Sequence, residues 1–325
     1  MSVIRSVITG VGGALPDSIV TNDDLARFVD TSDEWIFERT GIRSRRRARE
    51  GEATSDLGAE AARRALAAAG RKPEEIELIV VATTTPDLTF PATATLIQRK
   101  IGAPICIAFD IQAVCSGFVY ALGVADSFIS RGMAERALVI GAETMTRLMD
   151  WTDRGTCVLF GDGAGAVVLE RGEGAGTTAD RGVLSVALRA DGTKQDLLYV
   201  DGGPSTTGTV GKLRMQGNQV FRHAVVNIAE AVVAAADAAG IEVADADWFI
   251  PHQANQRILE GVGRRLGIDS AKVISTVDRH ANTSAASIPL ALAEAVDDGR
   301  VKPGQLLLLE AMGGGLTWGA AVVRL

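Results

Sequence analysis

Cys115 follows the apolar segment Ile105–Ile111 and precedes SGFVYALGVADSFIS, where Phe118, Leu122, Ala125 and Ile129 recur at helical spacing. It therefore sits where a strand turns into a helix. Unsatisfied N–H groups and partial positive charge at a helix start favour thiolate over thiol, which makes Cys115 a candidate nucleophile. Gly117, two residues on, is expected to let a substrate approach that turn. His252 stands in FIPHQANQRI, where a strand ends at Pro251 and polar side chains gather before a helix. Such strand ends are where open α/β sheets expose ligands. Asn282 lies in HANTSAASIP, again just before a helix, where Asn or Thr283 also suits a cap. Taken singly, a cysteine, a histidine and an asparagine are more often core, structural and capping residues. Cys106 and Cys157 lie within apolar runs and read as core.

Alternating helices and short apolar runs must position these residues. Ser55–Gly70 reads as an Ala-rich helix with Ser55 as N-cap and Gly70 as its stop. Glu77–Thr83, Ala137–Ile140 and Val183–Leu188 have the character of buried strands. The Gly- and Thr-rich stretch Gly172–Gly182 reads as the link between two halves, 1–172 and 173–325. The second half echoes the first. Ala69-Gly70 then IELIVVATT resembles Ala239-Gly240 then DADWFIPHQ, at an offset of 170, placing Ala82 opposite His252. DIQAVCS resembles DRHANTS at 168, placing Val114 opposite Asn282 and Cys115 opposite Thr283. LFGDGAGAVVL resembles AMGGGLTWGAAVV near the C-terminal end. Three echoes in the same order suggest one βαβ-rich unit used twice, with the candidate residues on corresponding loops.

The 325 residues carry a net charge of −7, leaving no basic excess for a nucleic-acid partner. Three cysteines with no CxxC pair argue against a disulfide framework or a structural zinc site. The sequence shows neither a signal-peptide pattern nor about 18 uninterrupted apolar residues, so a cytoplasmic location without a membrane partner is expected.

AVCSGF, PHQANQRI and HANTSAAS, in this order and spacing, resemble β-ketoacyl-acyl carrier protein synthase III. So do TSDEWIFERTGIRSRR (31–46), DRGTCVLFGDGAGA (153–166) and the final MGGGLTWGAAVVRL, so that the resemblance covers nearly the whole chain. It implies an α/β, thiolase-like five-layer α-β-α-β-α fold built from two similar halves and assembled as a homodimer. It implies Cys115, His252 and Asn282 as catalytic residues, with an oxyanion hole from the N–H groups of Cys115 and Gly314. Trp35 and Arg154 resemble the pair that sandwiches the coenzyme A adenine, and Asn255 a residue touching the pantetheine arm. Phe90 resembles the side chain entering the partner's acyl pocket; Phe160, Leu213, Met215 and Met312 are its candidate lining. Arg222, Arg257, Arg264 and Arg265 are candidates for docking the carrier protein, the last three sharing a helix face at i, i+7 and i+8. The substrates implied are acyl-CoA and malonyl-acyl carrier protein, with no cofactor.

Three other readings compete. A nicotinamide enzyme fits poorly, because neither Gly10-Val-Gly12 nor GDGAGA matches GxGxxG with its following acidic residue. A cysteine hydrolase or acyl-shuttling transferase on the same fold, or a condensing enzyme of a specialised pathway, would use the same three residues. A non-catalytic binding protein would not need the complete set.

Overall fold

The computed structural model describes residues 2–325. The first half contains strands β1 (Val3–Ala14), β2 (Ser18–Thr21), β3 (Ser44–Arg47), β4 (Leu78–Ala82), β5 (Ile107–Ile111), β6 (Arg136–Thr144) and β7 (Asp162–Gly174). Its helices are α1 (Asn22–Ala26), α2 (Asp33–Thr40), α3 (Thr54–Ala69), α4 (Thr93–Ile101) and α5 (Gly117–Ser130). The second half contains β8 (Gly182–Ala190), β9 (Leu198–Val200), β10 (Leu213–Met215), β11 (Trp248–Pro251), β12 (Leu306–Gly313) and β13 (Thr317–Arg324). Its helices are α6 (Gly217–Ala239), α7 (Gln256–Leu266), α8 (Val277–His280) and α9 (Ser287–Asp297).

Two main sheets have the orders β1-β7-β6-β4-β5 and β8-β13-β12-β11. Corresponding neighbours run in the same sense: β4 is parallel to β6 as β11 is to β12, and β7 is antiparallel to both its neighbours as β13 is. Helices α5 and α9 pack between the sheets, α3 and α4 cover the first, and α6 and α7 cover the second. The result is the five-layer α-β-α-β-α arrangement. β4 and β12 are buried on both faces, which is why β4 is an unbroken apolar run and β12 is broken only by Glu310, rather than alternating.

Three corresponding elements begin 170 residues apart: Leu78 and Trp248, Val114 and Ser284, Arg136 and Leu306. Val114 and Ser284 also share a left-handed backbone, with φ of 48° and 50°, at the start of equivalent 3₁₀ turns. Cys115 thus corresponds to Ala285, not Thr283. The matched DRHANTS letters are out of register by two because the backbone turn, not residue identity, repeats.

Two boundaries also differ from expectation. α3 begins at Thr54, and Ser55 lies inside it, its N–H and hydroxyl both bonded to Asp87 at 2.9 and 2.5 Å. The N-terminal role falls instead to Asp56, whose carboxylate accepts the Ala53 N–H at 2.9 Å. β7 continues to Gly174, because Gly172 and Gly174 pair with Arg5 and Val3 as strand residues. The glycines of GDGAGA serve packing: a Cβ on Gly165 would meet the Leu290 N of α9 at 2.6 Å.

Candidate active site

Cys115 occupies a 3₁₀ turn, Val114–Ser116, that runs directly into α5. The turn is clamped to the β12–β13 hairpin. The Ser116 hydroxyl bonds Ala113 O at 2.7 Å and Thr317 Oγ1 at 2.8 Å, and Thr317 Oγ1 donates to Ala113 O at 2.9 Å. A Cβ on Gly313 would fall 2.6 Å from Cys115 N, so the hairpin can lie this close only through glycine. Neither the Cys115 N–H nor the Gly314 N–H is bonded to a backbone acceptor among the described residues.

His252 follows β11, and its N–H donates to Glu310 O at 2.8 Å. Its Nδ1 lies 2.6 Å from Ser287 Oγ at the start of α9. Asn282 is pinned by backbone bonds to Leu159 O at 2.9 Å and from Gly161 N at 3.0 Å. Its Oδ1 accepts the Ser284 N–H at 2.8 Å, which leaves the side-chain NH2 available to a ligand. The N-cap position itself falls to Thr283, which makes no side-chain cap bond; the Asn282 contact lies one residue earlier and orients the amide. Cys115, His252 and Asn282 are buried, and all three line one cavity of about 350 Å³.

The electrostatics correct one expectation. Burial pushes the Cys115 thiol up to about 12, with Glu143 adding to the rise. Desolvation thus opposes the effect of the α5 terminus and favours the protonated thiol over the thiolate. Burial likewise drives His252 down to about 3, so its imidazole is neutral. Glu143 is pushed up to about 7 by burial, opposed by the Thr85 hydroxyl at 2.6 Å and the Thr84 N–H. Gly117 does not face the cavity: a Cβ there would meet Ala82 Cβ at 3.0 Å and Ala285 Cβ at 3.4 Å. It lets α5 pack against β4 and the opposite half, so substrate access is not its role.

Toward the surface the cavity is bounded by the exposed side chains of Arg39 and Arg257 and by Gly155. The guanidinium carbons of Arg154 and Arg39 lie 5.1 and 4.4 Å from the Trp35 ring centroid, and Arg154 also bonds Asp30. Asn255 lines the cavity and caps α7, its side chain accepting from Ile258 N at 3.0 Å. Phe160, Met215 and Met312 are on the wall. Leu213 is not; it is buried in a cluster with Ile36, Met149 and Phe160. Phe90 is 82% exposed and outside the cavity of its own chain. Arg222 is exposed on α6, and Arg257, Arg264 and Arg265 are exposed on α7. Arg257 donates to Glu38 O at 2.9 Å, while Arg264 pairs with Glu260 at 3.6 Å.

Several residues of the cavity wall or its support are inconspicuous in the sequence. Arg39 stands one helical turn after Trp35, a spacing that could have marked it. Val220, Ala224 and Ile228 of α6 form an apolar wall at helical spacing, indistinguishable in sequence from core. Ser287 was hidden among the small residues of HANTSAAS.

Comparison with known proteins agrees with this geometry. Residues 109–192 match the model for 3-oxoacyl-[acyl-carrier-protein] synthase III, and residues 236–325 the model for its C-terminal part. A β-ketoacyl-[acyl-carrier-protein] synthase III of Caulobacter vibrioides is 74% identical over 99% of this chain and 100% of its own length. One from Rhodospirillum centenum is 64% identical, with 99% of each chain covered. The crystal structure of 3-oxoacyl-[acyl-carrier-protein] synthase III from Aquifex aeolicus superposes with a TM-score of 0.92 at 46% identity, covering 98% of this chain and 100% of that one. Fold, paired halves and near full-length identity converge: this chain belongs to the 3-oxoacyl-[acyl-carrier-protein] synthase III family, whose fold is thiolase-like.

Proposed function

We propose that Cys115, His252 and Asn282 carry out a decarboxylating Claisen condensation that starts fatty acid synthesis, joining an acyl group from acyl-CoA to malonyl-acyl carrier protein. The observation that carries this is one buried cavity lined by a thiol, a neutral imidazole and an amide whose NH2 is free. In the first half-reaction Cys115 sulfur bonds the acyl carbon, the coenzyme A sulfur leaves, and the thiol proton passes to it. A protonated resting thiol suits this exchange, because it moves a proton and an acyl group between two sulfurs and builds no net charge. The N–H groups of Cys115 and Gly314 would hold the oxyanion. In the second, the malonyl thioester releases carbon dioxide and its electron pair becomes an enolate. His252 and Asn282 would donate N–H bonds to the enolate oxygen. The carbanion attacks the acyl-Cys115 carbonyl, Cys115 leaves as thiolate and takes up a proton, and a β-ketoacyl thioester departs. Decarboxylation supplies the carbanion, so this route calls on no cofactor.

Other side chains fit ancillary roles. Trp35 and Arg154, with Arg39, would bind the coenzyme A nucleotide, and Asn255 the pantetheine arm. Phe160, Met215 and Met312 would line the acyl end, with the α6 wall in place of Leu213. Arg222, Arg257, Arg264 and Arg265 would dock the carrier protein near the cavity entrance. A homodimer is supported by the unpaired edge of β5 and by exposed Leu88, Phe90, Ile105 and Ile107 around it, with Phe90 reaching the partner's acyl pocket. No helix among the described residues is long and apolar enough to cross a membrane, consistent with the proposed cytoplasmic location. The halves 1–172 and 173–325 would act as one catalytic unit, since Cys115 comes from the first and His252 and Asn282 from the second.

The test is to incubate the protein with acyl-CoA and carboxyl-labelled malonyl-carrier protein, following Cys115 by mass spectrometry and label release as carbon dioxide. Acylation of Cys115 followed by label release and a new carbon–carbon bond is expected; a free carboxylic acid with no label released would indicate hydrolysis and defeat the proposal.

A further inference from the structure

His252 can donate to an enolate only through Nε2–H, because Nδ1 is turned away onto Ser287 Oγ at 2.6 Å. Which nitrogen carries the proton depends on which partner donates in that contact. Ser287 Oγ also accepts the Gln253 N–H, at 3.4 Å, so one of its lone pairs is engaged. Among the described residues His252 Nδ1 is the one acceptor its own hydrogen can reach. With the hydroxyl donating, every polar atom in the cluster is satisfied: Gln253 N–H to Oγ, Oγ–H to Nδ1, and Nε2–H free for the cavity. With Nδ1–H donating instead, the hydroxyl hydrogen of a 2% exposed serine would be stranded and Nε2 would present a lone pair to the enolate oxygen.

Hydrogen bonds and burial surround both groups. Gln253 Nε2 donates to Pro251 O at 2.7 Å and Ile274 O at 3.1 Å, and its Oε1 accepts Thr276 N at 2.8 Å. The strand end that carries His252 is thereby tied to the segment before α8. Ser287 is the first residue of α9, held between Ala286 and Ile288, both buried.

We propose that Ser287 is a positioning residue for the decarboxylation half-reaction: its hydroxyl donates to His252 Nδ1 and locks the imidazole as the Nε2–H tautomer. This rests on the condensing role proposed for His252. Acyl transfer to Cys115 uses the oxyanion N–H groups and does not need that tautomer. Loss of the hydroxyl should therefore divide the two half-reactions, reducing decarboxylation by roughly 10–100-fold, the scale found when a partner orienting a metal-bound histidine is removed.

The decisive experiment is nitrogen-15 NMR of the whole protein labelled at histidine. There are three histidines, so His252 can be assigned by difference from a His252→Ala variant. The parent should show His252 protonated at Nε2 and bare at Nδ1; a proton on Nδ1 overturns the proposal, whatever any variant does. Ser287→Ala should show mixed tautomers, slower malonyl decarboxylation and Cys115 acylation within about twofold of the parent, while Ser287→Thr, which keeps the hydroxyl, should restore the tautomer. Equal loss of both half-reactions in Ser287→Ala with an unchanged tautomer would also overturn it. Normal decarboxylation by His252→Ala would instead refute the role of His252, leaving the tautomer measurement as a separate result.

Discussion

Replacing Asn282 by aspartate changes one group and nearly no volume. Asn282 Oδ1 accepts from Ser284 N at 2.8 Å, and the new carboxyl keeps that acceptor. What it loses is the NH2 turned toward the cavity. Losing one such donor costs about 2.7–4 kcal/mol of transition-state stabilisation, a loss of roughly 10²–10³ in decarboxylation. Above its own titration the replacement also sets a carboxylate against the developing enolate, which deepens the defect. Below it, a protonated carboxyl has an O–H to donate and should restore part of the rate. The protein's other buried carboxyls show the direction in which that titration moves. Buried Glu143, with several donors, sits at about 7, and buried Glu310, with none, at about 8. A carboxyl at 282, buried and holding one N–H donor, should likewise be raised above the ordinary carboxylate range. Decarboxylation by Asn282→Asp should thus fall as pH rises through that raised titration and recover below it. The parent should show no such slope from His252, which stays neutral above about pH 3. Carbon dioxide release from a malonyl thioester across pH 6–9, normalised to Cys115 acylation, measures it. A variant that decarboxylates at the parent rate at pH 8.5 would refute the donor role.

Two further outcomes are expected. Arg222 and Arg265 are exposed and have no ion-pair partner among the described residues, so Arg222→Glu with Arg265→Glu should raise the KM for malonyl-carrier protein severalfold; steady-state kinetics should show the effect shrinking with salt, as screening shortens to about 8–10 Å, with coenzyme A-dependent acylation unchanged. Glu310 is raised by burial from 4.5 to about 8, and its Oε2 has no partner; as an acid held neutral when folded, it supports stability fully below about pH 4.5 and progressively less as pH rises through 8, so in thermal unfolding Glu310→Gln should gain on the parent between pH 5 and pH 8.

The motifs around Cys115, His252 and Asn282, the two echoing halves and the family resemblance were legible in the sequence because each is local. Residue order and short-range periodicity were enough to locate a strand end, a helix start and a repeated unit. The repeat's register was legible only in part: the first echo has the structural offset of 170, whereas around Cys115 the letters match at 168, because Val114 and Ser284 correspond through a shared φ and their side chains are unlike. Nor was the state of the thiol. A helix terminus beside Cys115 argues for thiolate, but the interior closing over it comes from the β12–β13 hairpin and the segment around Ser284, about 170–200 residues along the chain. Desolvation depends on everything that packs around a group, and no local pattern reports it. The same limit hid Arg39, the α6 wall and Ser287 as cavity or supporting residues. It also made Gly117 and Leu213 look like site residues when they are packing residues. Short-range spacing could name the reacting side chains, whereas their protonation, tautomer and enclosure depend on neighbours distant in sequence that only the tertiary structure brings within a few ångströms.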